Sequence, residues 1–233
     1  MGTVYQIEKK ISIRKQATNS LRKIKNFIVF LLYKFRASTF VFRSETYRYF
    51  FHYYNATWKN ERTVEVPIIK QLLEKEKGKR ILEVGNVLQY YIPVTHDVLD
   101  KYETRDGVMS LDIVDFVPKE KYNFIVSVST LEHVGWDEIP KEPKKLDLAI
   151  KNLKENCLAM GGTMVVTLPL GYNSYVDELL SRPSSDLGEL FFLKRIGNSV
   201  WKEVRYEEVR GSKYDSPFPS SNAICISILK KES

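Results

Sequence analysis

Four stretches of the chain carry side chains whose types and spacing could do chemistry. The first is Leu82-Glu83-Val84-Gly85-Asn86, an apolar run that stops at a glycine. Without a Cβ, Gly85 lets the backbone come close to a ligand. Asp100 closes a second apolar run, where a carboxylate can accept hydrogen bonds from both hydroxyls of a ribose. Asp112 closes a third run and is placed to reach an exocyclic amine such as that of adenine. The fourth stretch, Ser127 to Glu138, brings Ser129, Glu132 and His133 together. Imidazole changes charge near neutral pH, so His133 suits a general base, and Glu132 can orient it or act as the base itself. Tyr172 and Asn173 follow a fifth run and can help bind an acceptor, and Arg62, ahead of the first domain helix, can pair with a carboxylate of cofactor or substrate. Each has a plainer reading beside this one: strand-end aspartates are often turn residues, His133 can cap a helix, and Tyr172, Asn173 and Arg62 can serve as turn or surface groups. His96 reads as a strand-edge residue. No group of His, Cys, Asp and Glu has metal-ligand spacing, so no metal site is expected.

The elements that would hold these residues follow from periodicity. Val66, Ile68, Ile69, Leu72 and Leu73 lie at helical spacing, with Pro67 suited to a first turn, and Lys77-Gly78 ends the helix. Short apolar runs at 80–85, 96–102, 108–116, 122–127, 164–169 and 223–229 read as strands, and 191–204 reads as a strand or hairpin. Leu146, Ile150, Leu153 and Leu158 form a helical stripe stopped by Gly161-Gly162, and 175–180 reads as a short polar helix. Nearly all-apolar strands that alternate with helices indicate a sheet covered on both faces. The expected fold is α/β: a Rossmann-like, seven-stranded, mostly parallel sheet with helices on both faces, plus a basic aromatic N-terminal helical arm. Such sheets bind ligands beyond the carboxyl ends of their strands, where the four stretches fall.

The charge is unevenly spread. Residues 1–60 hold 12 Lys and Arg against Glu8 and Glu45, a net of +10, while the rest carries −3. Fourteen of the 29 aromatic residues also fall in those first 60. The chain therefore divides into a basic aromatic arm, 1–60, and a nearly neutral domain, 61–233. Within the arm, 9–25 is polar and basic, and 27–54 reads as one or two amphipathic helices. Three roles are open to it: lying on an anionic membrane surface, binding nucleic acid, or packing over the site or a dimer interface. No apolar run reaches membrane-span length, no export signal is evident, and Cys157 and Cys225 are the only thiols. The expected location is the cytoplasm, at most peripheral to a membrane.

Ile81-Leu82-Glu83-Val84-Gly85-Asn86, then Leu111-Asp112-Ile113-Val114-Asp115, then Ile125 to Val134 with its Leu131-Glu132-His133-Val134 element, resemble class I S-adenosylmethionine-dependent methyltransferases, in particular the branch acting on small molecules and sugars. The resemblance covers roughly three quarters of the chain and excludes the arm. It implies that S-adenosylmethionine is the cofactor, that Glu83 and Gly85, with Asn86, line its methionine end, that Asp100 holds the ribose, and that Asp112, with Ile113, holds the adenine. Ser129 would lie beside the sulfonium. The family's Glu-x-Gly-x-Gly-x-Gly reads here Glu83-Val84-Gly85-Asn86-Val87-Leu88-Gln89, with only the first glycine kept. The expected acceptor is a hydroxyl of a small molecule or saccharide, lipid-linked if the arm serves a membrane. A nucleic-acid acceptor is an alternative made weaker by the lack of an Asn-Pro-Pro-Tyr type element after the fourth strand. A non-catalytic protein with a decayed cofactor site is the other.

Overall fold

Ile81–Val84, the run that stops at Gly85, forms strand β3 near the middle of an eight-stranded sheet. The computed structural model describes residues 27–32, 38–182 and 186–232. The sheet runs β5-β4-β3-β6-β7-β10-β8-β9, with β4 at Asp97–Leu99, β5 at Val108–Met109, β6 at Tyr122–Val128, β7 at Leu158–Pro169, β8 at Glu189–Gly197, β9 at Val200–Val204 and β10 at Ala223–Lys230. β5, β4, β3, β6 and β7 are mutually parallel, and β10, β8 and β9 add antiparallel pairings. The expected fold class holds, with eight strands in place of seven. The extra strand arises because 191–204 folds as the β8–β9 hairpin, turning at Asn198 and Ser199, where Ser199 has a positive φ of 56°.

Each face is covered. On one, helix α1 (Arg62–Lys75) lays Val64, Ile68 and Ile69 against Phe124, Val126 and Val165. On the other, α2 (Lys145–Asn152) and α3 (Ser174–Leu180) pack Leu146, Ile150 and Val176 onto Leu82, Ile125 and Val166. The α2 stripe ends sooner than its spacing implied. A π-helical turn spans Leu153–Cys157, and Leu158 already begins β7, so Gly161-Gly162 lies within a strand. The third strand is also shorter than read: β5 ends at Met109, and Asp112 stands on the turn beyond it. No α-helix links β3 to β4. A single 3-10 turn, Leu88–Tyr90, takes its place, which accounts for the missing glycines, since there is no helix N-terminus for them to lead into.

The arm is only partly helical. Residues 27–32 are helical, with Phe27, Ile28 and Leu32 exposed. The reading of 9–25 falls outside the described residues. Beyond them, Thr39–Phe42 (β1) and Glu45–Arg48 (β2) form an antiparallel hairpin where a helix was expected. Its aromatic and β-branched residues alternate, burying Phe40, Phe42 and Tyr47, a period that suits a strand. Arg43 and Ser44 turn it, both at positive φ, 49° and 63°, as a tight two-residue hairpin loop requires. Phe42 meets Phe191 of β8 edge-on at 5.8 Å, so the hairpin is part of the core. Phe42→Leu is expected to lower stability by about 1–2 kcal/mol, read as a lower urea midpoint at an unchanged slope. No helix among the described residues is long and apolar enough to cross a membrane.

Candidate active site

The chain runs outward through β3, β4 and β5, then returns to lay β6 beside β3. That reversal opens a crevice at the carboxyl ends of β3 and β6. A cavity of about 380 Å³ sits there, within the ~300–1,000 Å³ typical of small-molecule sites. Gly85 forms part of its floor at φ +87°, and a Cβ built there would stand 2.1 Å from the Thr130 hydroxyl oxygen. The glycine is therefore demanded by the approach of the β6 loop as well as by its own backbone. Leu99, Leu111, Ile113 and Val134 supply apolar walls, and Asp100 and Asp112 bring carboxylates.

Those carboxylates are largely engaged. Asp100 accepts backbone hydrogen bonds from Asn86, Tyr102 and Glu103 at 2.9–3.0 Å. A carboxylate offers about four lone-pair positions, so about one remains for a ligand. Asp112 lies 2.9 Å from the Lys101 ammonium and 2.7 Å from that of Lys145, both of which also reach Glu138. Burial opposes its charge, but hydrogen bonds from Lys145 and Lys101 outweigh it and hold the Asp112 carboxyl below its usual range.

Three residues read as cofactor contacts do not line this cavity. Glu83 is fully buried. Its Oε1 accepts from the Val87 and Leu88 amides at 2.9 and 2.7 Å, and its Oε2 meets His96 Nε2 at 2.9 Å. With no helix following Gly85, this carboxylate takes up the amides of the turn itself. Asn86 donates from Nδ2 to Glu103 at 2.9 Å, spanning the two loops. Ser129, at a positive φ of 38°, donates its hydroxyl to Glu65 at 2.6 Å and faces a second cavity.

The second cavity, about 230 Å³, is walled almost entirely by polar groups. Glu61, Arg62, Glu132, Tyr172 and Tyr214 are among them. Arg62 is bound to Glu65, and its Nη1 lies 3.9 Å from Glu61. Glu65 itself is fully buried, accepting from Ser129 and Thr167 hydroxyls, both at 2.6 Å. Burial works against the Arg62 charge, but the Glu65 and Glu61 carboxylates outweigh it, so the guanidinium stays firmly protonated. Glu65 was missed in the sequence, although a lone carboxylate inside Val64-Glu65-Val66-Pro67-Ile68 was a usable signal.

His133 lines both cavities. Its Nδ1 is hydrogen-bonded to Asp137 Oδ2 at 2.5 Å, and the Tyr172 hydroxyl donates to the same oxygen at 2.6 Å. Tyr172 also packs edge-on against the imidazole, 4.9 Å between ring centres. The orienting carboxylate is thus Asp137, not Glu132, whose Oε1 is 3.6 Å from His133 Nε2. Although burial opposes it, hydrogen bonds from Tyr172 and His133 keep the Asp137 carboxyl below its usual range. Asn173, read as an acceptor contact, is buried away from both cavities. Its Oδ1 caps α3 at Tyr175 and Val176, and its Nδ2 donates to the Glu132 carbonyl at 2.7 Å, pinning the loop that carries His133.

No family model and no curated protein matches the sequence. Solved structures with a similar course of chain include the N-methyltransferase NodS of Bradyrhizobium japonicum in complex with S-adenosyl-L-homocysteine, at 13% identity and a TM-score of 0.43, covering 77% of this chain and 96% of that one. A S-adenosylmethionine-dependent methyltransferase of Clostridium acetobutylicum has 12% identity and a TM-score of 0.38, with 71% and 89% covered. A sugar N-methyltransferase of Streptoalloteichus has 10% identity and a TM-score of 0.35, with 74% and 89% covered. These likenesses stop at the course of the backbone, and the site is read from its own side chains.

Glu132 has the least settled environment of these groups. It is 1% exposed, and its Oε2 has no hydrogen-bond partner among the described residues. Burial pushes its carboxyl well above the usual 4.5, and burial likewise raises Glu61. A carboxyl raised in this way holds its proton more tightly in the folded chain than in the unfolded one, so the stability this contributes is complete below about pH 4.5 and is lost as the pH rises through the folded value. Glu132→Gln is expected to flatten that loss. As the pH rises above about 4.5 the urea midpoint of the wild type should fall more steeply than that of the variant, and parallel profiles would contradict the assignment.

Proposed function

We propose that the chain is an S-adenosylmethionine-dependent methyltransferase that acts on a hydroxyl of a small polar acceptor such as a saccharide. The observation that carries this is His133, held by Asp137 on the wall shared by an apolar-walled cavity at the strand ends and a polar one beside it. Two adjoining cavities with a potential base between them suit a two-substrate transfer.

The first cavity suits the cofactor in volume and in its apolar walls. Leu99, Leu111, Ile113 and Val134 would cover its rings, and the lone pair left on Asp100 would take a ribose hydroxyl. Asp112 would meet the adenine with the part of its carboxylate that the lysines leave free, and Gly85 gives its backbone close access. Glu83 and Asn86 act indirectly, by fixing the turn that forms the floor. Bound there, S-adenosylmethionine supplies an electrophilic methyl group.

The protein's part is to bind the acceptor and take its proton. Tyr172, Tyr214 and Arg62 wall the polar cavity and orient the acceptor. Asp137 accepts the Nδ1 proton of His133, which leaves Nε2 as the acceptor of the hydroxyl proton. As that proton arrives, the imidazolium is stabilised by the same carboxylate, and Tyr172 keeps Asp137 in place. Glu132 borders the acceptor space as well.

Calorimetry with S-adenosylhomocysteine separates this reading from a non-catalytic protein with the same fold. Binding with about 1:1 stoichiometry is expected. The absence of heat at millimolar ligand would leave a decayed site and sink the proposal.

A further inference from the structure

The polar cavity carries more carboxyl groups than it has cations to pair them. Glu65 is settled by Arg62, Ser129 and Thr167. Glu61 receives the Ser221 amide at 3.1 Å and stands 3.9 Å from the Arg62 guanidinium, beyond hydrogen-bond reach. Glu132 receives nothing at Oε2. Both line the cavity, and both are at least nine-tenths buried. The other ionisable groups on the wall are Tyr172, Tyr214 and His133, and His133 is tied to Asp137. Buried oxygens without donors are costly to leave so, and a bound ligand that brings N–H or O–H donors removes the cost.

We infer that the acceptor carries a protonated amine, as an amino sugar does, and that the Glu132 and Glu61 carboxylates on the polar cavity's wall recognise it. This rests on the methyltransferase reading and names the substrate class of the same site. An ammonium has three donors for these oxygens, and its positive charge favours the ionised form that burial alone disfavours, which a neutral hydroxyl cannot do. An acidic sugar brings no cation to favour ionisation of Glu132 and Glu61, and meets either group, once ionised, as a like charge, so it gains nothing at this wall. A nitrogen held as an ammonium has no lone pair to attack with, so recognition by these carboxylates leaves a neighbouring hydroxyl as the nucleophile for His133. In the balance of the step, the hydroxyl oxygen forms the new bond to the methyl carbon, the sulfonium–methyl bond breaks with its electron pair returning to sulfur, and the hydroxyl proton passes to His133 Nε2.

The test is saturation-transfer NMR on the full chain, first saturated with S-adenosylhomocysteine, using D-glucosamine, D-glucose and D-glucuronate as probes. Glucosamine should bind at least roughly tenfold more tightly than glucose, the worth of about one charge-assisted hydrogen bond, and glucuronate should not bind. Glu132→Gln should remove most of that preference while the affinity for S-adenosylhomocysteine stays unchanged. Glu61→Gln should do so in part. Equal binding of the three sugars, no binding of glucosamine, or a preference that survives both variants would overturn the inference. Failure of S-adenosylhomocysteine itself to bind the wild type would instead overturn the methyltransferase reading, so the two failures are distinct.

Discussion

His133→Ala is expected to slow methyl transfer by about 10²–10⁴-fold while leaving S-adenosylhomocysteine affinity essentially unchanged. The size follows from losing a positioned proton acceptor. The selectivity for rate follows from geometry, because the imidazole stands on the wall the two cavities share and the first cavity keeps its other walls. Asp137→Asn supplies the companion result. It keeps the volume at that position, but an amide selects the His133 tautomer less surely and stabilises the imidazolium less. Activity should fall toward the His133→Ala level, and the double variant should be little worse than either single one, since the two act as a unit. Single-turnover rates with saturating cofactor would measure both. Full activity in His133→Ala would remove it as the base, and additive losses would separate Asp137 from it.

Arg62→Ala is expected to destabilise the fold by about 3–5 kcal/mol, because it strands Glu65. Glu65 is fully buried beneath the cavity, and its charge is balanced by the guanidinium. Two hydroxyls, Ser129 and Thr167, also donate to it, but neither brings charge. For a chain of this length the melting temperature should drop by about 6–20 °C. Glu65→Gln in the same background should recover much of the loss by removing the orphaned charge, and that recovery separates a buried-charge effect from lost packing. Arg62→Lys should recover less, since an ammonium on a different stem does not reproduce the directed guanidinium contact with Glu65. A melting shift of only a degree or two for Arg62→Ala would show that the pair is not the anchor described here.

The strands were readable because a sheet covered on both faces demands short, continuous apolar runs, and Ile81–Val84, Tyr122–Val128 and Ala223–Lys230 are such runs. The N-terminal hairpin was not, because its aromatics are dense enough to satisfy a helical stripe as well as an alternating one. Only the turn at Arg43-Ser44 and the face offered by Phe191 decide between them. At the site, positions were legible and partners were not. Asp100 does stand at the end of β4, but the loop after β3 lacks a helix, so its lone pairs go to the amides of Asn86, Tyr102 and Glu103. Glu83 is drawn inward for the same reason. Asp137 is four residues from His133, a spacing that brings side chains together only once the 3-10 turn at Leu131–His133 and the turn after it have formed. The network around Glu65 joins residues 64 and 102 positions away in the chain, beyond the reach of any local pattern.

The most direct test of the account is a crystal structure of the chain with S-adenosylhomocysteine. The adenosine should occupy the cavity between Gly85 and Val134, near Asp100, with the sulfur turned toward His133 on the side that faces the polar cavity. A ligand bound elsewhere, or bound here with its sulfur facing away from His133 and closed off from the polar cavity, would contradict it.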